Sequence, residues 1–268
     1  MDDLSKQVYE ATEKADEIID KLRRSSKLVN DTIGVLERID LMHRTGEIDS
    51  RTHKSLVEDY EGELIKGVIE LAQLRRSAKE IRAKLKGLST RIKLGLERAS
   101  EYRSAVSATV RITSRDVVAS LEGELLRTIN SRMRELEELI DSINIESEVY
   151  ALMKVLDKVN IEELGEEVKD ELKEYLEDIS SKWALLKSEQ MERISALEEK
   201  INEVEMTLKE NDIRFVIGEY DKITYEENRI KLERELNSIR SEIEEIREKI
   251  DLIDTRILKC FELLGGKS

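Results

Sequence analysis

The residues best suited to chemistry lie around one short segment near position 46. His43 and His53 flank this segment, and Glu47 and Asp49 lie inside it. Imidazole nitrogens and carboxylate oxygens bind zinc when the fold brings them together. A similar segment later in the chain carries phenylalanine and tyrosine in place of the two histidines. The comparison favours packing of aromatic rings over a metal site, so we expect no metal and no cofactor.

The later segment repeats the pattern of the first. GEIDSRTH at 46–53 returns as GEYDKITY at 218–225, which is 172 residues further on. In both copies the glycine can take the left-handed conformation that ends a helix, and the aspartate can cap the next helix. Ser50 is an alternative cap in the first copy, and Thr224 with Glu227 matches a capping box in the second. The residues expected to build the two turns are Gly46, Asp49, Thr52, Gly218, Asp221 and Thr224.

Long helices are predicted on both sides of each segment. The chain has 268 residues, no proline and 40% charged residues, and proline is the residue that most strongly interrupts helices. Apolar residues recur at alternating spacings of three and four, which is the period of helices that pack along each other. These seams run from Leu4 to His43, from Val57 to Val106, from Ile194 to Leu208 and from Leu232 to Leu264. Two such helices joined by a short turn fold back antiparallel.

The predicted fold is all-α and elongated, built from serial antiparallel helical hairpins or a coiled coil with internal duplication. The duplication is inferred because the seams keep the same offset of 172 residues as the turns. We predict three regions: an N-terminal hairpin over 1–112 with its turn at 45–49, middle helices and a connector over 113–180, and a C-terminal hairpin over 181–268 with its turn at 213–223. A helix break is expected close to the end of the first region, where serine, threonine and valine accumulate.

Positive charge is concentrated in one part of an acidic chain. The net charge is −14, yet residues 66–116 hold thirteen basic and five acidic side chains. If the first hairpin folds about residue 48, acidic residues within 10–20 lie alongside Arg75–Lys86 and account for part of this charge. Five further basic residues are candidates for salt-sensitive binding of a polyanion, with an ordinary solvated face as the alternative. They are Lys93, Arg98, Arg103, Arg111 and Arg115.

Other features limit the class of protein. Cys260 is the only cysteine, which excludes an internal disulfide and a CxxC zinc site. Its place in the last seam predicts a buried thiol, with cross-linking of a parallel dimer as the alternative. We expect no membrane span because no run of about 18 apolar residues is present, and a cytoplasmic protein because the acidic N-terminal stretch lacks the apolar core of a signal peptide. Abundant Glu, Lys, Arg and Ile are typical of thermophiles.

The GE-(Ile/Tyr)-D-x-x-T-(His/Tyr) turns between heptad helices resemble those of archaeal CdvA-like coiled-coil proteins, in which a similar turn links two helices. The resemblance covers roughly 11–88 and 183–260. It implies a cell-division scaffold that polymerises, touches DNA or membrane, and recruits ESCRT-III-like proteins. The β-barrel and the proline-bearing tail of that family have no counterpart in this sequence, so the resemblance concerns the hairpin scaffold alone.

We therefore expect a non-enzymatic scaffold or adaptor in archaeal cell division or chromosome organisation. A homo-oligomer, either a dimer or a larger assembly, is expected because a two-helix hairpin leaves apolar surface uncovered, and other proteins would bind through helix faces. One alternative is a nucleic-acid-binding accessory protein that uses residues 93–115. A second is an ESCRT-III-like membrane-remodelling subunit that binds anionic membranes, suggested by a basic front half and an acidic rear half.

Overall fold

The computed structural model describes the backbone of residues 2–105 and 113–265, and the side chains of residues 3–97 and 122–265. Across these residues the chain is all-α and forms helical hairpins, as the sequence predicts. The helices are α1 Asp2–Arg44, α2 Ser50–Ala105, α3 Thr113–Ile140, α4 Ile145–Lys158, α5 Glu166–Val216 and α6 Lys222–Gly265, with a short 3-10 helix at Ile161–Glu163. The break predicted near the end of the first region falls on residues 106–112, outside the described backbone.

The chain divides into two compact units. The first consists of Met1–Leu176 with Leu263–Ser268, and the second of Glu177–Glu262. α5 contributes residues to both units. Each unit contains one of the two predicted hairpin turns, so each can be described by itself.

In the first unit, α1 and α2 pack antiparallel in the register predicted from the turn. The Ser25 hydroxyl donates to the Gly67 carbonyl at 3.2 Å, and the Arg91 guanidinium donates to the Gln7 side chain at 3.0 Å. The seam residues of both helices, such as Leu22 and Leu85, are fully buried. A Cβ atom at Gly67 would meet a methyl group of Val29 at 3.1 Å. Glycine at this position therefore allows a close approach of the two helices.

The predicted seam of α2 ends earlier than expected. Ile92 is buried, whereas Gly95, which the spacing placed in the seam, is exposed. The remaining predicted seam residues of α2, which are Ala99, Tyr102 and Val106, have no described side chains. The apolar contact of α2 therefore extends to Ile92 among the described side chains.

α3 and α4 cover the first hairpin and give the first unit a larger core than two helices could form. Both helices pack against α1 and α2. α4 lies in the predicted connector and begins at the Asn144 cap, whose side chain accepts from the Glu146 amide at 2.9 Å. One face of α4 is buried, with Val149 and Leu152 at its centre. Burial of each such side chain stabilises a fold by about 1.5–3 kcal/mol.

The basic patch of α2 has different partners from those predicted. Instead of the acidic residues of α1, Arg75 pairs with Glu148 of α4, and Arg82 pairs with Glu137 of α3. Lys79 contacts Glu174 of α5 at 3.0 Å. The prediction was wrong for these residues because it considered only the hairpin partner, and the helices that cover the hairpin carry acidic residues of their own.

The second unit is a two-helix hairpin of α5 and α6. Its buried seam includes Ile194, Val204 and the regularly spaced isoleucines of α6. Asp254 of α6 accepts from the indole of Trp183 at 2.7 Å and from Lys187 at 2.6 Å, both on α5. Burial acts to raise the pKa of Asp254, but these hydrogen bonds and the charge of Lys187 bring the pKa below its ordinary value. The ionised carboxylate therefore joins the two helices.

Candidate functional site

The first hairpin turn is built as the sequence predicts. Gly46 has a φ of 78°, in the left-handed region that favours glycine. The amide of Glu47 donates back to the carbonyl of Met42 at 2.9 Å and closes the end of α1. The Asp49 carboxylate accepts from the amides of Arg51 and Thr52, both at 2.8 Å, and so caps α2. The bond from the Thr52 amide is the main reason that the pKa of Asp49 lies below its ordinary value.

The second turn has the same backbone hydrogen bonds. Gly218 has a φ of 80°, and the Glu219 amide donates to the Arg214 carbonyl at 2.9 Å. The Asp221 carboxylate accepts from the Thr224 amide at 2.7 Å, and this bond lowers the pKa of Asp221. The capping-box interpretation of Thr224 with Glu227 is wrong. α6 begins at Lys222, so Thr224 lies inside the first turn of the helix and Asp221 is the cap.

A pair of stacked rings closes each turn. The rings of His43 and His53 stack with centroids 4.3 Å apart, and those of Phe215 and Tyr225 stack at 4.4 Å. The second ring of each pair also bonds to an aspartate of the preceding helix, which is the contact between His53 and Asp40 at 2.8 Å and its counterpart from the Tyr225 hydroxyl to Asp212 at 3.0 Å. Each of these contacts recurs at the offset of 172 residues.

The histidines of the first turn serve ring packing, as the sequence comparison favoured. The other ring nitrogen contact is between His43 and the Ser50 hydroxyl at 3.2 Å. Glu47 does not join the histidines but accepts from the Thr45 hydroxyl at 2.9 Å. Among the residues that the structure describes, no group of three His, Cys, Asp or Glu side chains is placed to hold a metal ion.

The two turns share a backbone but present different surfaces. At the second turn Val216, Ile217 and Ile223 are 82%, 68% and 71% exposed. The corresponding residues of the first turn are Arg44, Thr45 and Arg51. The pattern search compared what the two copies share and so missed this difference, although an alignment of the copies at the offset of 172 contains it. Three adjacent exposed aliphatic side chains are a feature typical of interaction sites.

The structure locates one of the five predicted polyanion-binding residues. Lys93 is exposed on α2. The side chains of Arg98, Arg103 and Arg115 and all of Arg111 lie outside the described residues. The structure therefore does not bring these five residues together as a site.

A buried polar cluster in the first unit was not predicted. The Arg75 guanidinium pairs with the Glu148 carboxylate, and the two side chains are 3% and 0% exposed. Arg75 also donates to the Ile140 carbonyl at 2.7 Å and lies over the ring of Tyr175, 4.7 Å from its centroid. The Tyr175 hydroxyl donates to Glu148 at 3.4 Å. The cluster joins α2, α3, α4 and α5, and its role is structural.

Comparisons with protein-family models, with curated proteins and with solved structures found no match for this chain. Among the described residues, no helix is long and apolar enough to cross a membrane. Inference about function therefore depends on the sequence and on the geometry of the two hairpins.

Proposed function

We propose that this protein is a non-enzymatic helical scaffold or adaptor that self-associates and binds other proteins through its hairpins. One observation carries the proposal. The same turn is built twice with the same hydrogen bonds and ring stack, yet one copy exposes arginine and threonine where the other exposes valine and isoleucine. A conserved backbone with different surfaces is what two distinct docking ends require.

Self-association is supported by the apolar surface that the second unit leaves uncovered. Leu185, Met191 and Leu258 are 72%, 52% and 60% exposed, on the flanks of a hairpin that has only two helices. The first unit covers its hairpin with α3 and α4. Apolar surface of this kind favours association because its burial removes it from water.

We further propose that the two hairpins arose by duplication of one hairpin. Ring stacks, caps, left-handed glycines and the aspartate contacts of the rings all recur at one offset, which is a stronger support than shared spacing of apolar residues alone. The resemblance of these turns to archaeal CdvA-like proteins places the proposed scaffold in archaeal cell division or chromosome organisation.

Sedimentation velocity over a range of protein concentrations tests the self-association. A sedimentation coefficient that rises with concentration is expected, and a monomer at all concentrations would refute it. Proximity labelling in the native cell, with the probe fused to the full chain, tests the scaffold role. The set of labelled proteins should change when Val216, Ile217 and Ile223 are replaced by arginine, threonine and arginine, which are the residues of the first turn.

A second candidate function is binding of nucleic acid by the basic part of α2. The observation that favours it is the exposure of Lys84, Arg91 and Lys93 on this helix. Phosphate contacts of this kind weaken steeply with salt. In a mobility-shift assay, binding at low salt that is lost at higher salt, and lost in Lys93→Glu, is expected. No binding at low salt would eliminate this candidate.

A further inference from the structure

The exposed face of α2 is complementary to the second turn in both apolar character and charge. Lys84, Gly87, Arg91, Leu94 and Gly95 lie along one side of the helix, at a spacing that keeps them on one face. All five are exposed, and Leu94 is 49% exposed. The two glycines have no neighbouring atom within 4 Å of a Cβ built on them. This basic strip therefore has an accessible leucine between two open glycine positions and a positively charged edge.

The second turn has the opposite charge around its aliphatic side chains. Residues 209–227 contain six acidic and three basic residues, and Glu226 and Glu227 are exposed. The corresponding residues 37–55 of the first turn contain four of each. Only the second turn thus combines an apolar tip with an excess of negative charge. We name this surface, made by Val216, Ile217, Ile223 and the acidic residues around them, the acidic tip.

We propose that the acidic tip of one copy docks on the basic strip of a second copy. This inference rests on the proposed self-association and specifies its contact. The aliphatic side chains of the tip would cover Leu94 and fill the space over Gly87 and Gly95, while Lys84 and Arg91 face the acidic rim. The contact joins two different surfaces, so each copy keeps one free tip and one free strip. Such a head-to-tail contact adds copies one after another instead of stopping at a symmetric pair.

Two variants separate the two surfaces. The tip variant carries Val216→Arg, Ile217→Thr and Ile223→Arg, which are the residues found at the same positions of the first turn, where the backbone is the same. The strip variant carries Lys84→Glu and Arg91→Glu. Its control carries Arg24→Glu and Lys27→Glu, two exposed basic residues of α1 in the same unit that make the same change of charge.

Sedimentation velocity of the full chain measures the result. Wild-type protein and the control are expected to associate, and both variants are expected to raise the dissociation constant by about a hundredfold or more, because three aliphatic contacts or two charge contacts are lost. An equal mixture of the two variants is expected to form dimers and nothing larger, since the strip of the tip variant can still receive the tip of the strip variant. Circular dichroism checks that each variant keeps its helices.

Several results would overturn the proposal. Association of either variant as tight as wild type would show that its surface is not part of the contact, and the self-association would then stand without this interface. Loss of association in the tip variant alone would indicate contact between two tips. Binding of wild-type tip to zwitterionic phosphatidylcholine vesicles, lost in the tip variant while self-association is unchanged, would make lipid the occupant. A monomeric wild type would refute both the interface and the proposed self-association.

Discussion

Replacing Arg75 by methionine should strongly destabilise the first unit. The guanidinium is 3% exposed, and its partner Glu148 is 0% exposed. Methionine retains much of the apolar length of arginine but donates no hydrogen bond. The Glu148 carboxylate would then be buried without its cation, and the Ile140 carbonyl would lose the donor that lies at 2.7 Å. Both losses occur where water cannot replace the missing contacts.

The expected loss is about 3–5 kcal/mol in the free energy of unfolding, the range for removing one member of a buried ion pair. In a domain of this size each kcal/mol lowers the unfolding temperature by about 2–4 °C, so a decrease of roughly 10 °C is expected. Replacing both partners, in Arg75→Met with Glu148→Leu, should recover most of the loss because no buried charge remains.

Arg82→Met is the matched control for Arg75→Met. Arg82 lies two helical turns further along α2 and pairs with Glu137, but these side chains are 45% and 49% exposed. An exposed ion pair contributes about 0–1 kcal/mol, so the control should unfold within about 3 °C of wild type.

Thermal unfolding by circular dichroism, with hydrogen exchange read by mass spectrometry, measures the change of Arg75→Met and locates it. Exchange should increase in α4, which carries Glu148, more than in the second unit. A loss below about 1 kcal/mol would refute the reasoning, and so would a double variant as unstable as Arg75→Met. In either case the buried pair would not hold α4 against α2.

Three further predictions concern the turns. Gly218→Ala should cost about 1–2 kcal/mol, because the φ of 80° is left-handed; thermal unfolding equal to wild type would contradict this. The low pKa of Asp221 means that its stabilisation of the turn is present above the ordinary aspartate pKa of about 4 and is lost as the pH falls through the lower folded value. The Thr224 amide shift in NMR should follow this titration, and Asp221→Asn should abolish it; a shift that titrates unchanged in the variant would argue against the cap. Exchanging the first ring pair for the second, in His43→Phe with His53→Tyr, should preserve stability within about 0.5 kcal/mol in urea unfolding, whereas His53→Ala should lower it. A double variant as unstable as the alanine variant would count against equivalent stacks.

The turns could be predicted from the sequence because their structure is local. Gly46 and Asp49 act on amides within a few residues, so the type and spacing of the residues determine the contacts. The buried positions of α1 and α6 also follow from spacing, since the helical period determines which residues share a face.

The partners of the basic patch could not be predicted in the same way. The helical period shows that Arg75 lies near the buried face, but it does not show which helix covers that face. Glu148 lies in a segment interpreted as a connector, and its contact with Arg75 spans 73 residues. The sequence signal was an acidic residue within the apolar face of α4, beside Val149 and Leu152. Such a signal indicates a buried partner without identifying it.

The exposed residues of the acidic tip were hidden for another reason. Val216 and Ile217 lie next to a seam, and an apolar residue beside a seam is usually assigned to packing. Only the accessible surface shows that these side chains point into solvent. The comparison with Arg44 and Thr45 then gives the difference its meaning, because the two turns otherwise have the same construction.

Cross-linking of a mixture of isotopically light and heavy protein tests the central claim of self-association most directly. A lysine-reactive reagent can join Lys222, at the acidic tip, to Lys84 or Lys86 on α2. The proposed scaffold predicts cross-links between one light and one heavy chain, with Lys222 joined to Lys84 among them. Cross-links found only within chains of the same isotope, at concentrations where wild-type protein is fully folded, would contradict the claim.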